Sequence, residues 1–262
     1  MNLALKNKVA IIGGSSKGLG KGCAVQLAQE GANIVICAND KDSLAKTGQL
    51  IKELGVEVLL LEVDMSSEKD NQKIVDETLN KFGRIDILIN NSGGPAAGDF
   101  FQFSDQDWEK AFNSVLMYVI RMCRLTIPQM KKNKWGRIIN LTSLTVKEPA
   151  ETLILSNVFR SGVVSMAKTL SRDLIKDNIT INNICPGAFK TDRAIELMTA
   201  AAKSRGITVD EFEKEAVKSI PSGRYQRPEE LGALVAFLCS EQAGSITGTT
   251  IQIDGGASRG LL

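Results

Sequence analysis

Residues 13 to 20 read GGSSKGLG, and Gly14, Gly18 and Gly20 fall in the spacing G-x-x-x-G-x-G. Glycines so placed let a chain turn tightly and bring bare backbone amides against a ligand, and a row of converging amides suits an anion. The apolar run KVAIIGG precedes the turn and a helical pattern follows it, so the amino end of a helix adds partial positive charge at the same point. A glycine turn inside a first strand–turn–helix unit has the chemistry of dinucleotide diphosphate binding. Ser16, Lys17 and Leu19 stand between the glycines and border the same anion. Glycines that merely end a strand are the plainer reading, and position in the first such unit argues against it.

The remaining inventory of reactive residues is unusual. The chain of 262 residues contains no histidine, which excludes Ser-His-Asp hydrolysis, Cys-His proteolysis, H-E-x-x-H metal sites and any imidazole proton shuttle. Its five cysteines (Cys23, Cys37, Cys123, Cys185 and Cys239) are odd in number, form no C-x-x-C pair and lie mostly in apolar runs, so they read as free thiols packed as small hydrophobes. No metal site is expected. Lys and Arg number 32 against 30 Asp and Glu, a balance too even for a phosphate backbone to be the partner.

Seven short β-branched runs recur: 8–14, 33–38, 56–64, 85–91, 136–143, 179–187 and 249–256. Between them, residues 20–30, 43–54, 68–82, 108–130, 158–175 and 229–238 carry apolar residues three and four apart and read as helices. The strand runs are nearly continuous in apolar residues, as strands covered on both faces by helices must be. The expectation is an α/β fold, a doubly wound parallel sheet of Rossmann type with about seven strands. No linker, repeat or low-complexity tract divides it, so 1–262 reads as a single domain. A charged, Ala-rich helical insertion at about 192–222 follows a strand, on the side where such sheets bind ligands, and reads as a substrate lid. No window is long and apolar enough to span a membrane and no secretory apolar stretch opens the chain, so the expected location is the cytoplasm.

These features, and others along the chain, resemble the short-chain dehydrogenase/reductase family, most nearly its β-ketoacyl-acyl-carrier-protein reductase-like branch. The resemblance starts at the glycine turn. It continues with Asp64 and Met65 in EVDMS, with Asn90, Asn91, Ser92 and Gly93 in place of N-N-A-G, with Asn113, and with Pro186, Gly187 and Thr191 in CPGAFKT. It implies that Asp64 meets the adenine, that Asn113 helps hold a water chain, and that the Pro-Gly segment cradles the nicotinamide. The family's acidic position at the end of the second strand is Ala38 here and its neighbour is Asn39; with no carboxylate there, and with Lys17 beside the turn, NADP is the expected coenzyme and NAD the alternative. The resemblance also implies a homo-oligomer, tetramer or dimer, built on helices near 108–130 and 152–175.

The family's catalytic set departs here. Ser143 in NLTSL matches its serine, but the position of its tyrosine holds Ser156 and that of its lysine holds Arg160. The only tyrosines are Tyr118 and Tyr225, neither followed by lysine four residues on. Positions 156 and 160 lie one helical turn apart, so both face one way. A phenol titrates near about 10 and an aliphatic alcohol is a much weaker acid, which makes Ser156 a poor proton donor. Arg160 retains fixed charge and ribose-binding capacity without relaying protons. Lys147 and Glu148, on the loop after Ser143, and Tyr225 are candidate replacement donors. Two readings follow: an NADP(H)-dependent oxidoreductase acting on a small-molecule carbonyl or alcohol, 3-oxoacyl-like, with an atypical site; or a non-catalytic dinucleotide-binding sensor or structural subunit.

Overall fold

A computed structural model describes residues 2–261. All seven expected strands form: β1 (Val9–Ile12), β2 (Asn33–Ala38), β3 (Val58–Glu62), β4 (Ile87–Asn90), β5 (Gly136–Leu141), β6 (Ile179–Pro186) and β7 (Thr250–Ile253). They build one parallel sheet in the order β3-β2-β1-β4-β5-β6-β7. The chain winds outward in one direction from β1 and in the other from β4, so a crevice opens between the carboxyl ends of these two neighbours.

Alternation within the strands sends side chains to two cores. Ala10, Ile12, Ile34 and Ile36 pack with α1 (Gly18–Gln29), α2 (Lys41–Glu53) and α9 (Pro228–Leu238). Val9, Ile11, Val35 and Cys37 pack with α3 (Glu68–Phe82), α5 (Tyr118–Asn133) and α6 (Ile154–Leu174). Two layers of helix on a twisted parallel sheet bury every central strand, which is why the strand sequences are apolar throughout.

Three local differences from the sequence reading matter for the site. The helix expected over 108–130 is broken into α4 (Asp105–Ala111) and α5 by a wide π turn at Phe112–Met117, in which the Tyr118 amide reaches back to the Asn113 carbonyl. Helix α6 starts at Ile154, four residues earlier than the apolar spacing indicates, because no side-chain cap marks its start. The 192–222 insertion folds as α7 (Asp192–Arg205) and α8 (Val209–Ala216), capped by Thr191 and Thr208. No helix among the described residues is long and apolar enough to cross a membrane.

At the far end of the sheet, the fully buried carboxylate of Asp86 accepts hydrogen bonds from the Val9 amide at 2.9 Å and from Arg84 at 2.8 and 2.6 Å. Asp86→Ala leaves a buried N–H without a partner and is expected to cost about 1.5–3 kcal/mol, the range for a hydrogen bond to a charged group. Urea unfolding would register this as a lower midpoint at unchanged slope.

Candidate coenzyme and catalytic site

The phosphate turn leaves β1 at the switch point. Gly14 and Gly18 take left-handed backbone angles, φ +53° and +56°, which a β-carbon disfavours. Asn91, at the end of β4, donates its Nδ2 to the carbonyls of Gly13 and Gly14 at 3.0 and 3.1 Å, stapling the turn to the neighbouring strand. Ser15 joins β1 to β2 by donating to the Ile12 carbonyl and accepting the Cys37 amide. Thr47 donates to the Ser16 carbonyl, so α2 supports the turn from behind. A groove of about 710 Å³ lies over the turn, bordered by Gly14, Lys17, Gly18, Leu19, Asn91, Gly93 and Thr191; this is within the usual range of small-molecule sites, roughly 300–1,000 Å³.

Other expected contact residues also carry bonds within the protein. Asn90 is buried and gives its Nδ2 to Asn140 at 2.9 Å; Asn140 donates to Asn183, and Asn183 to Thr250, making a polar ladder across four strands at matching register. The ladder takes Asn90's Nδ2 and ties β4 to β5, while its buried Oδ1 has no partner. Asp64 uses Oδ1 to accept the amide and hydroxyl of Ser66, shaping the turn before α3. Met65 sits half-buried next to it. The Asn113 side chain is engaged by Arg121 at 3.4 Å and by the Glu109 carbonyl at 2.9 Å, while Arg121 reaches the Ser66 carbonyl. The Asn113 amide keeps a second N–H and a second Oδ1 lone pair beyond these bonds.

At the end of β2, Ala38 is buried and Asn39 exposed. Lys17 is paired with Asp40 at 2.9 Å, and this partner raises the lysine's pKa. Asp40 also caps α2 by accepting the Ser43 amide. This carboxylate stands one residue past Asn39, and its cap spacing to Ser43 marks it in the sequence.

On the catalytic side, Ser143 accepts the Thr145 amide at 3.2 Å at the start of a 3₁₀ turn, Leu144–Val146. This leaves its hydroxyl proton for another acceptor. Ser156 is buried, and its hydroxyl lies 3.3 Å from Thr145 Oγ1. The 3₁₀ turn covers it, so it braces the turn and does not open onto the groove. Arg160, one turn along α6, donates Nη1 to the Leu141 carbonyl at 2.7 Å. Desolvation brings its guanidinium pKa down to about 10, still charged at neutral pH. Burial raises the pKa of the nearby Cys185 thiol, opposed first by a hydrogen bond from Thr142 and then by the Lys147 and Arg160 cations; both cations therefore stand near the end of β6. Pro186 and Gly187 follow there, half-buried.

One candidate proton donor drops out. Glu148 accepts the Ser258 hydroxyl and the amides of Arg259 and Gly260 on one oxygen, and these bonds lower its pKa, so it remains a carboxylate. Tyr118 is fully buried, its hydroxyl finds no hydrogen-bond partner, and desolvation drives its pKa far up. Its phenol instead occupies the space that a side chain at Gly13 would need.

The Arg160 guanidinium, its pKa lowered by burial from the usual ~12.5 to about 10, is charged at neutral pH and loses that charge as pH rises through about 10, and any hold on a bound anion that depends on the charge goes with it. The ratio of NADPH affinities for the native protein and Arg160→Met is expected to stay level across neutral pH and to converge toward unity near that value. A ratio unchanged past it would remove the charge from the account.

A seven-stranded parallel sheet with helices on both faces and a glycine turn at its switch point defines the Rossmann class. The sequence pattern of the family described as "Enoyl-(Acyl carrier protein) reductase" matches residues 14–258. A 3-oxoacyl-[acyl-carrier-protein] reductase FabG of Staphylococcus epidermidis is 30% identical over 253 residues, 95% of this chain and 98% of that protein. The NADPH-dependent reductase BacG of Bacillus subtilis is 31% identical over 98% of this chain and 100% of its own. The structure of L-sorbose reductase from Gluconobacter frateurii, complexed with NADPH and L-sorbose, superposes with a TM-score of 0.96 at 32% identity, covering 100% of both chains. The chain belongs to the short-chain dehydrogenase/reductase family.

Proposed function

We propose that the protein is an NADPH-dependent reductase of a small carbonyl compound. The observation that carries this is the intact glycine turn, stapled by Asn91 beneath a groove bordered by Gly14, Gly18, Gly93 and Thr191. Family membership and two relatives named for NADPH support the coenzyme, and the acid nearest the end of β2, Asp40, is already paired with Lys17. The coenzyme supplies the hydride. Gly18 and Leu19 amides at the α1 terminus would hold the diphosphate, Arg160 would hold the nicotinamide ribose, and Pro186, Gly187 and Thr191 would border the ring. Ser143 donates its hydroxyl hydrogen bond to the substrate oxygen as negative charge builds there. Ser156 gives no proton, so the alkoxide is protonated from water or Lys147. A 3-oxoacyl compound is the first substrate to try, given the 3-oxoacyl relative.

Loss of NADPH absorbance with acetoacetyl thioester, diacetyl and L-sorbose tests the reading. Turnover of at least one is expected; saturable NADPH binding with no turnover on any would favour a non-catalytic dinucleotide-binding subunit.

We further place the protein in the cytoplasm, where its five free, buried thiols suit the reducing conditions. We propose that it works as a homo-oligomer. Phe112 and Val158 stand 37% and 45% exposed on the π turn and on α6, and along α6 an open groove is lined by Ser161, Val164, Ser165 and Lys168, a surface small enough in relief for a second copy of the same helix. Light scattering is expected to give twice or four times the chain mass, and a monomer would refute assembly.

A further inference from the structure

The segment proposed as a lid brings a carboxylate onto the anion site. Asp192, the first residue of α7, points Oδ2 at the Gly18 amide, 3.3 Å away, across 174 residues of sequence. Thr191 packs beside it, with its methyl 3.4 Å from the place a Gly18 β-carbon would take. Lys17, the other anion-seeking group of the turn, is held by Asp40. Asp192 and Glu196 both add to the field that keeps Lys17 protonated, so both acids of α7 face the turn. Asp192, Glu196 and Thr191 also border the groove over Gly14 and Gly18.

A diphosphate seated on the Gly18 amide would meet the Asp192 carboxylate at contact distance. Like charges that close repel even near a surface, and one amide proton cannot serve both anions well. Resting on the coenzyme reading above, we propose that Asp192 is an intramolecular competitor of the coenzyme diphosphate, which clasps α7 to the phosphate turn and must leave Gly18 when a dinucleotide binds. Asp192 thereby sets coenzyme affinity and couples coenzyme arrival to release of the 192–219 segment. Because Asp192 is exposed and α7 has its own cap at Thr191, its replacement leaves the fold intact.

Calorimetric titration of the full chain with NADPH, native against Asp192→Asn and Asp192→Ser, tests this. Both variants are expected to bind about five- to thirtyfold more tightly at low salt, the effect of one or two kcal/mol, with the gain shrinking as salt is raised. Limited proteolysis without coenzyme should cut the 192–219 segment faster in both variants, and NADPH should bring the native protein toward the same rate. Equal or weaker binding by the variants overturns the competitor role while native binding leaves the coenzyme reading standing. Absence of binding by the native protein overturns both.

Discussion

Gly20→Val is expected to abolish saturable NADPH binding while leaving the far-ultraviolet circular dichroism unchanged. A β-carbon at Gly20 would collide with the Gly14 carbonyl oxygen and come within 2.8 Å of Asn91 Nδ2. Neither can retreat: the first is backbone in a left-handed turn, and the second is the amide that staples β4 to that turn. The turn must open, and the amides aimed at the diphosphate diverge. Losing two charge-assisted hydrogen bonds, at roughly 1.5–3 kcal/mol each, predicts an affinity drop of a hundredfold or more. The clash lies at the end of the sheet, outside both cores, so the secondary structure survives. Binding within about threefold of native would show that the diphosphate sits elsewhere.

The second large effect separates the two serines. Ser143→Ala should lower kcat by about 10²–10³, the usual loss when one donor to a developing oxyanion is removed, with NADPH affinity held. The Thr145 amide fixes Ser143's orientation without using its proton, and no phenol shares the task here. Ser156→Ala should leave kcat nearly unchanged and cost stability of about 1 kcal/mol, because its hydroxyl meets only Thr145 in a buried contact. The reverse pattern, with activity lost at 156 and kept at 143, would mean that the 3₁₀ turn lifts off Ser156 during turnover.

Which features could be read from the sequence depended on how far their partners lie along the chain. Strands and phosphate turn are written locally: apolar runs for buried parallel strands, and three glycines in one short stretch. The substitution of Ser156 and Arg160 was visible by counting from Ser143. The function of Ser156 was not, because the turn that covers it comes from residues 144–146. The ladder that Asn90 enters was not legible locally, because its partners lie 50 residues on at Asn140 and another 43 at Asn183. Asp192 meets Gly18 across most of the chain, and Glu148 finds the tail at Ser258; no window of sequence contains either pair. The π turn escaped for a different reason. A single widened turn shifts the helical phase too little to disturb an apolar spacing of three and four across 108–130.

Deuteride transfer tests the central claim most directly. NADPH carrying deuterium at one C4 position is incubated with the full chain and the carbonyl panel, and the alcohol products are examined by mass spectrometry. The proposed reductase, holding the nicotinamide in one orientation, predicts deuterium on the carbinol carbon from one of the two C4-labelled forms and not from the other. Alcohol formed without label from either form, or a coenzyme that stays bound and fully labelled with every carbonyl, would contradict it.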